Sequence, residues 1–450
     1  MQHAVGLSPF FVVRQHFDSH KLSDIPDAVH RTLSESGMAA RLKPGSEVAI
    51  GVGSRGIANI DTIVAAAVAW WKGQGMRPFL FPAMGSHGAA TSVGQAAVLA
   101  KYGITEASMG CPVRSSLAVA ELGLTSEGIP VVMDRTAYRA AGVMLCGRVK
   151  WHTDFAGALE SGLFKMMAIG LGKVSGAKTY HTFATRMGLQ APGTDAPGLE
   201  ASGLEASASG APGLERMIRS VGRQVLGSGH ILGGLAILED ANHDSARVEA
   251  VPAASMEQRE EQLLALAKNW MPVLPAAFDV VIVNEMGKNF SGSGLDTKVI
   301  NRAVWGDVNP WPGVPRVGRV FVRDLSPLSY GNATGIGLAD VVHRRILGKI
   351  RRQPTYVNAL TSSQPGSIRT PIHFPTDREC LRAVCGTVGR LDPADVTMGW
   401  IANTLDLGLM ACTANLRGEL ETNPRIEILG EARALEFDER GDLVDWLGVW

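Results

Sequence analysis

Short apolar runs that end in small-residue loops alternate with helical stretches in the first part of the chain. Glu47–Gly53 predicts a buried strand, Asn59–Gly73 a helix, and Arg77–Pro82 the next strand. Two strands joined through a helix are typical of a β-α-β unit. The alternation therefore predicts an α/β fold.

The length of the chain predicts more than one domain. With 450 residues it is well above the usual single-domain size, so we expect two α/β domains with the active site in the cleft between them. The boundary is placed after an amphipathic helix over Met256–Asn269 and before a strand that begins at Phe278. Residues 1–275 would form the N-terminal domain, and residues 276–450 the C-terminal domain.

Two further segments are interpreted from composition and periodicity. An Ala/Gly/Ser/Pro stretch at about residues 189–214 has too few large apolar residues to form a core, so we expect a surface insertion. In the C-terminal domain, Leu338–Ile350 and Asp377–Cys385 predict helices, and residues 430–450 a terminal strand or hairpin.

Charge and cysteine content exclude several functional classes. Lys+Arg and Asp+Glu both number 43 and there is no long basic run, which argues against a nucleic-acid or anionic-membrane partner. The five cysteines are scattered without a CxxC pair, so neither a disulfide framework nor a zinc or iron–sulfur site is indicated. Because there is also no signal-like or membrane-spanning stretch, we expect a soluble cytoplasmic enzyme that acts on small molecules.

Two loops place functional side chains after predicted strands. Arg55 follows the strand Glu47–Gly53, and His87 lies in the small-residue loop after Arg77–Pro82. In open α/β sheets ligands bind at the carboxyl ends of strands, so both side chains could face one crevice. The alternative for His87 is a structural histidine that caps a helix.

The segment Trp151–His181 concentrates the remaining chemistry. Lys165 lies among apolar neighbours, where desolvation would lower the pKa of its amine and favour a nucleophile. His152 follows a predicted strand, and His181 lies beyond the lysine, which allows a site with a metal and a base. The alternative is that Lys165 lies along an apolar surface with its amine in water while the histidines cap turns, since no zinc-type ligand spacing is present. The glycines before Lys173 lack the GxxxxGK[ST] spacing of a phosphate loop.

The chain resembles the nickel-pincer lactate racemase family, and in particular its divergent homologues. The motifs that carry the resemblance recur in order through both domains: GSRG, PAMGSHGAAT, VKWHTDFAGALESGLFKMMAIGLGK followed by a histidine, NEMGKNFSGSGLD and SYGNATGIGLAD. The resemblance implies a nickel-pincer nucleotide, pyridinium-3-thioamide-5-thiocarboxylic acid mononucleotide, which holds nickel through two sulfurs and a ring carbon.

The resemblance also implies a role for each candidate residue. Lys165 matches the lysine that joins the cofactor covalently, and His181 matches the histidine that completes nickel coordination. His87 and His152 match the two proton-transferring histidines. Arg55 matches a substrate-binding arginine, and Lys288 is implied to contact a carboxylate or hydroxyl group of the substrate.

Two positions depart from the family pattern. The lactate enzymes carry an aspartate ahead of the arginine and a proline after it, where this chain has Val52 and Gly56. Their second-domain substrate motif is replaced by the NEMGKN and SGSGLD loops. The resemblance therefore implies a retained cofactor site and a changed substrate pocket.

These observations predict an isomerase, namely a racemase or 2-epimerase of an α-hydroxy acid that uses reversible hydride transfer. The alternatives are a nicotinamide-type hydroxy-acid dehydrogenase, disfavoured because no GxGxxG follows a strand, and a non-catalytic nickel or cofactor carrier, which has no need of both His87 and His152. Enzymes that synthesise the cofactor would share the cell. Lactate, longer aliphatic acids, malate, aromatic acids and sugar acids all stay open as substrates, as does the oligomeric state.

Overall fold

The computed structural model describes residues 6–53, 56–85, 87–153, 155–189, 212–304 and 306–447. Within them, the chain between residues 18 and 271 forms one compact unit, which we call the N-terminal unit. Residues 6–17 and 272–447 form the other, the C-terminal unit. No helix in these described ranges is both long and apolar enough to cross a membrane.

The N-terminal unit contains seven strands and nine helices in its described residues. The strands are β2 (Glu47–Val52), β3 (Arg77–Pro82), β4 (Val119–Leu124), β5 (Pro130–Asp134), β6 (Gly142–Arg148), β7 (Ile231–Glu239) and β8 (Ser245–Pro252). The helices are α1 (Ile25–Glu35), α2 (Ile60–Gly73), α3 (Ser92–Lys101), α4 (Glu106–Met109), α5 (Arg135–Tyr138), α6 (Leu163–Lys165), α7 (Lys173–Leu189), α8 (Pro212–Gly227) and α9 (Met256–Trp270).

A five-stranded sheet forms the centre of this unit, in the order β3-β2-β6-β7-β8. The first four strands are parallel and β8 is antiparallel to β7. Every residue of β7 is buried, as expected of a central strand covered on both faces. One core contains Trp71 of α2, and a separate core contains Leu263 of α9. Strands β4 and β5 form a separate two-stranded ribbon.

The C-terminal unit is built on an eight-stranded mixed sheet. Its strands are β1 (Phe10–Gln15), β9 (Phe278–Met286), β10 (Val317–Leu325), β11 (Val341–His343), β12 (Ile372–Phe374), β13 (Met398–Ile401), β14 (Leu409–Thr413) and β15 (Ile426–Arg433). Its helices are α10 (Arg345–Lys349), α11 (Arg352–Thr361), α12 (Asp377–Cys385) and α13 (Arg417–Glu421). The sheet order is β12-β11-β10-β9-β13-β14-β1-β15, and β12 through β13 are parallel.

The predicted α/β class is confirmed, because each unit has a mainly parallel or mixed sheet with helices. The five cysteines are all buried and free, as the absence of a paired pattern indicated. Two predictions differ from the structure. The residues before Phe17, which the sequence assigned to the N-terminal domain, pair with the sheet of the C-terminal unit. The helix predicted over Leu338–Ile350 is wrong in its first half, because Val341–His343 is a strand between β10 and β12.

The low-complexity stretch predicted as a surface insertion lies mostly at residues 190–211, outside the described residues. Its two ends are helical, since α7 ends at Leu189 and α8 begins at Pro212.

Candidate functional site

Three adjacent parallel strands end at one edge of the N-terminal sheet. Strand β2 lies between β3 and β6, and its last residue, Val52, pairs with Pro82 on one side and Cys146 on the other. His87 lies in the loop after β3, and His152 in the segment after β6. Both histidines therefore follow strands that end at the same edge, where ligands of parallel sheets are usually bound. Arg55, predicted after β2, lies outside the described residues.

The two histidines have different surroundings. His87 is half-buried and directly precedes a 3-10 turn over Gly88–Ala90, but its side chain does not cap that turn. His152 is only 7 % exposed, and its ring lies 4.6 Å from the ring centroid of Phe155. The side chain of His87 therefore does not have the capping role that was considered for it at this turn.

A helical segment that runs from α6 through α7 packs against this same sheet edge. A Cβ atom added to Gly147, at the end of β6, would overlap the sulfur of Met166. A Cβ on Gly85, after β3, would lie 3.0 Å from Ile169 and 3.2 Å from Ala177. A side chain at either position would require Met166 or Ile169 to move, because the helical segment approaches the strand ends so closely.

Lys165 ends α6 and directly precedes one turn of π-helix over Met166–Gly170. The amide of Leu171 donates to the carbonyl of Met166 at 2.8 Å, five residues back. Such π-turns distort the regular helix and are frequent at functional sites. The Lys165 side chain is half-buried, whereas Phe164 and Met167 beside it are completely buried in the core.

Lys173, at the start of α7, is the completely buried lysine of the segment. Its amine lies 3.0 Å from a carboxylate oxygen of Asp134, and both side chains have 0 % exposure. The same amine donates to the carbonyl of Pro82 at 2.6 Å and to Oε1 of Gln95 at 3.3 Å. Burial lowers the pKa of Lys173, and the attraction of Asp134 opposes that shift. We predicted from the sequence that Lys165 would be desolvated. In the structure Lys173 is the more deeply buried of the two lysines.

Gln95 extends this buried network into the loop that carries His87. Its Nε2 donates to the carbonyls of Met84 and Gly85, at 3.1 and 2.8 Å. The backbone after β3 is therefore held by Lys173 and Gln95 together. Neither Lys173 nor Gln95 was a candidate site residue from the sequence. The one feature that could have indicated Lys173 was its position next to glycines in the segment that also contains His152, Lys165 and His181.

Glu260 of α9 holds the other end of the helical segment. Its carboxylate accepts the amide of Phe164 at 3.0 Å, at the start of α6, and Gly162 leaves no room for a side chain beside it. Burial raises the pKa of Glu260 to about 8. Helix α9 thus contributes a carboxyl group that fixes the turn just before Lys165.

His181 lies on α7 and is half-buried, and a turn at Leu171 and Gly172 separates α7 from the π-helical turn that follows Lys165. Among the described residues it belongs to no group of three or more metal-ligating side chains. A single imidazole is too few ligands for a stable nickel site, so most donors would have to come from a bound group. An amine on α6 and an imidazole on α7 are chemically suited to a group that forms one covalent bond and carries its own metal donors.

One group of potential metal ligands does occur in the described residues of the C-terminal unit, formed by His343, Asp377 and Asp442, with ligand atoms within 4.8 Å of one another. Two cations already occupy it: Arg323 lies 2.8 Å from Asp377, and Arg345 lies 2.8 Å from Asp442. Nδ1 of His343 accepts from Arg345, so Nε2 carries the proton and donates to Asp442. We therefore interpret the group as an ion-pair network of the fold.

Lys288 lies in the loop after β9 of the C-terminal unit and is half-buried. Its amine donates to the carbonyl of Gly292, and its amide donates to the hydroxyl of Ser329 at 3.0 Å. The loop that contains Gly335 packs against the loop that contains Lys288, because a Cβ on Gly335 would overlap the carbonyl of Ser293. The absence of a side chain at Gly335 thus allows the two loops to pack together.

Comparisons with known proteins give similarity at the level of structure. No protein-family description matches the sequence, and no curated protein is significantly similar to it. The fold is similar to a structure of the lactate racemase apoprotein from Thermoanaerobacterium thermosaccharolyticum, with a TM-score of 0.48 and 14 % sequence identity. That similarity covers 86 % of this chain and 98 % of the racemase chain.

Proposed function

We propose that this protein is a racemase or 2-epimerase of an α-hydroxy acid that acts with a nickel-pincer nucleotide. The observation that carries the proposal is the arrangement at one sheet edge. His87 and His152 follow parallel strands that flank β2, and the helical segment with Lys165 and His181 packs against the ends of those strands. The motif resemblance described above supplies the cofactor and the reaction class.

Lys165 is the residue proposed to bind the cofactor covalently, and His181 the one proposed to coordinate nickel. The amine of Lys173 contacts oxygens of Asp134, Pro82 and Gln95, and its side chain is completely buried. This lysine is therefore assigned a structural role. Lys165 is only half-buried and can present its amine to a ligand. When bound, the nickel-pincer nucleotide would supply an electrophilic carbon that accepts hydride.

The two histidines are proposed to move protons at the hydroxyl group of the substrate. A hydrogen α to a carboxylate is only weakly acidic, so removing it as a proton is slow. A histidine that takes the hydroxyl proton instead lets the hydrogen leave as hydride and produces a planar keto acid. Return of the hydride to the opposite face of the keto acid needs a proton donor on that side. Two histidines are therefore the minimum for interconversion of both enantiomers.

The test is production of the protein in a host that synthesises the cofactor, followed by intact-mass measurement and a screen of hydroxy acids for loss of optical purity. We expect a mass increase corresponding to the nucleotide, and racemisation or epimerisation of at least one acid. His181→Ala should retain the fold while nickel per chain decreases. A loaded protein that leaves every acid optically pure would favour a cofactor carrier. A mass without the nucleotide would contradict the proposal.

A further inference from the structure

We infer that Glu160, with its partner Lys268, is a positioning residue that fixes His152. The inference rests on the proposed function for its kinetic consequence, but the contacts on which it depends are independent of any cofactor. Neither residue was a candidate from the sequence.

The segment that carries His152 is a loop closed at its base. Lys150 and Ser161 exchange two backbone hydrogen bonds, at 2.9 and 3.2 Å, and form an isolated bridge. Between them, the described residues form neither helix nor strand. Backbone groups inside such a loop lack the repeating partners that regular structure provides, so they need acceptors from elsewhere.

The carboxylate of Glu160 supplies those acceptors from within the loop. One oxygen accepts the backbone amide of His152, and the other accepts the amide of Gly157 at 3.0 Å. Glu160 is 1 % exposed, so this group is inside the protein. A single carboxylate thus fixes the backbone of the proposed acid–base residue relative to the far side of its own loop.

A buried carboxylate needs a compensating charge, and α9 provides it. The amine of Lys268 lies 2.5 Å from Glu160 and donates to the carbonyl of Gly157 at 2.8 Å. The Lys268 side chain is 34 % exposed while that of Glu160 has no exposure. Lys268 therefore enters from the solvent side and connects the loop to a helix that is itself anchored in the core through Leu263 and Leu264.

We expect the ion pair between Glu160 and Lys268 to matter more for the position of His152 than for the free energy of unfolding. Taking two charges out of water costs nearly as much as their attraction returns, so the net stabilisation by a buried ion pair is usually small. A histidine that transfers protons must instead be held to within a fraction of an ångström of its substrate, and a displacement of about 1 Å can cost about a hundredfold in rate. The arrangement around Glu160 suits this second requirement.

The experiment measures the reactivity of His152 towards diethyl pyrocarbonate in the protein without cofactor, with mass-spectrometric mapping of each modified histidine. His152 is almost completely buried, so displacement of its loop should make it more reactive. We expect Lys268→Met and Glu160→Gln to raise the rate at His152 at least about threefold while the rate at His87 stays constant. Lys268→Arg, which keeps the charge, should behave like the parent protein.

Arg259→Met is the matched control. It removes an ion pair, with Glu249, from the same helix α9 but does not touch the His152 loop. An unchanged rate at His152 in both Lys268→Met and Glu160→Gln would overturn the inference, and so would equal increases at all histidines, which would indicate general loosening. Lys268→Met is the milder of the two changes, because its side chain is partly exposed, so it keeps the test valid if Glu160→Gln fails to fold.

The kinetic measurement separates this inference from the proposed function. In protein that carries the cofactor, Lys268→Met should retain the adduct mass on Lys165 and lower kcat about tenfold with little change in KM, and Lys268→Arg should restore the rate. Normal kcat in Lys268→Met despite raised His152 reactivity would overturn the positioning role. If the parent protein itself racemises no acid, the proposed function fails, and the labelling result alone decides whether Glu160 fixes His152.

Discussion

At the scale of single residues, Lys165 and Lys173 differ in how deeply they are buried. Lys173 has three acceptors and no exposure, whereas Lys165 is half-buried beside a π-turn. An ammonium group enclosed by a carboxylate and two further oxygens is a poor nucleophile, since its lone pair becomes available only after an ion pair is broken.

We therefore predict that the cofactor adduct maps to Lys165. In protein from a host that makes the nucleotide, Lys165→Met should carry none of the adduct, whereas soluble Lys173→Met should still carry it. Proteolysis and tandem mass spectrometry of the peptide that contains Lys165 would measure this. Finding the nucleotide on Lys173 or on Lys178 would refute the assignment.

The two histidines allow a prediction that distinguishes a racemase from a carrier or a one-sided dehydrogenase. Either His87→Ala or His152→Ala should abolish net interconversion in both directions, because under the proposed function each histidine would be base for one enantiomer and acid for the other. In a single turnover, however, each variant should still form keto acid from one enantiomer, and the two variants should prefer opposite enantiomers.

The measurement is keto acid trapped after one turnover with each pure enantiomer. Arg259→Met serves as the control for nonspecific effects, since it lies on α9 away from both histidines. Near-parental racemisation by either histidine variant would return that histidine to a structural role.

At the scale of elements, α9 functions as a support for the segment that carries the site. Glu260 accepts the amide of Phe164 at the start of α6, and Lys268 reaches Glu160 two helical turns later. The helix therefore fixes the chain on both sides of Gly162, and its charged residues matter more for their contacts than for solubility.

The raised pKa of Glu260 predicts how stability depends on pH. Its value of about 8 in the folded protein lies above the ordinary 4.5, so the folded protein holds a proton that the unfolded chain releases. The stabilising contribution is complete below about pH 4.5 and is lost as the pH rises towards 8.

Glu260→Gln should remove this dependence. Between pH 5.5 and pH 8.5 the parent protein should lose more free energy of unfolding than the variant, by at least about 1 kcal/mol, in urea titrations at both pH values. Glu257→Gln, on the same helix but paired with the exposed side chain of Arg223, should follow the parent. Parallel curves for Glu260→Gln and the parent would show that this carboxyl group does not titrate in that range.

At the scale of the whole molecule, strand β1 belongs to the C-terminal unit, although the residues that follow it form the N-terminal unit. Strand β1 lies between β14 and β15, and four consecutive residues, Phe10 to Val13, are buried. The C-terminal sheet thus includes a strand from the opposite end of the sequence, and its completion has to await closure of that long connection.

Deletion of residues 1–16 should consequently destabilise the C-terminal unit and leave the N-terminal sheet protected. Hydrogen exchange followed by mass spectrometry should show faster exchange in β14 and β15, with β2, β3 and β6 unchanged. Deletion of residues 1–6 is the control, since it ends before β1. Equal loss of protection in both units would mean that they do not unfold separately.

The periodic and compositional features of the sequence determined the fold class and most elements of both units. Strand β3 and helix α12 have the predicted bounds, because the apolar pattern and flanking turn residues that define them are local. The placement of His87 and His152 after parallel strands of one sheet was likewise predictable, since a strand that is followed by a helix and another strand has only one common topology.

Only the tertiary structure decided the features that depend on partners distant in sequence. Val341–His343 is a strand because it pairs with β10 and β12, although the longer stretch Leu338–Ile350 had been predicted as a helix. Lys173 is buried because Asp134 neutralises it, and Glu160 fixes His152 because Lys268 arrives from another helix. Such ion pairs join residues far apart in the chain, so their energies depend on a geometry that no local pattern encodes.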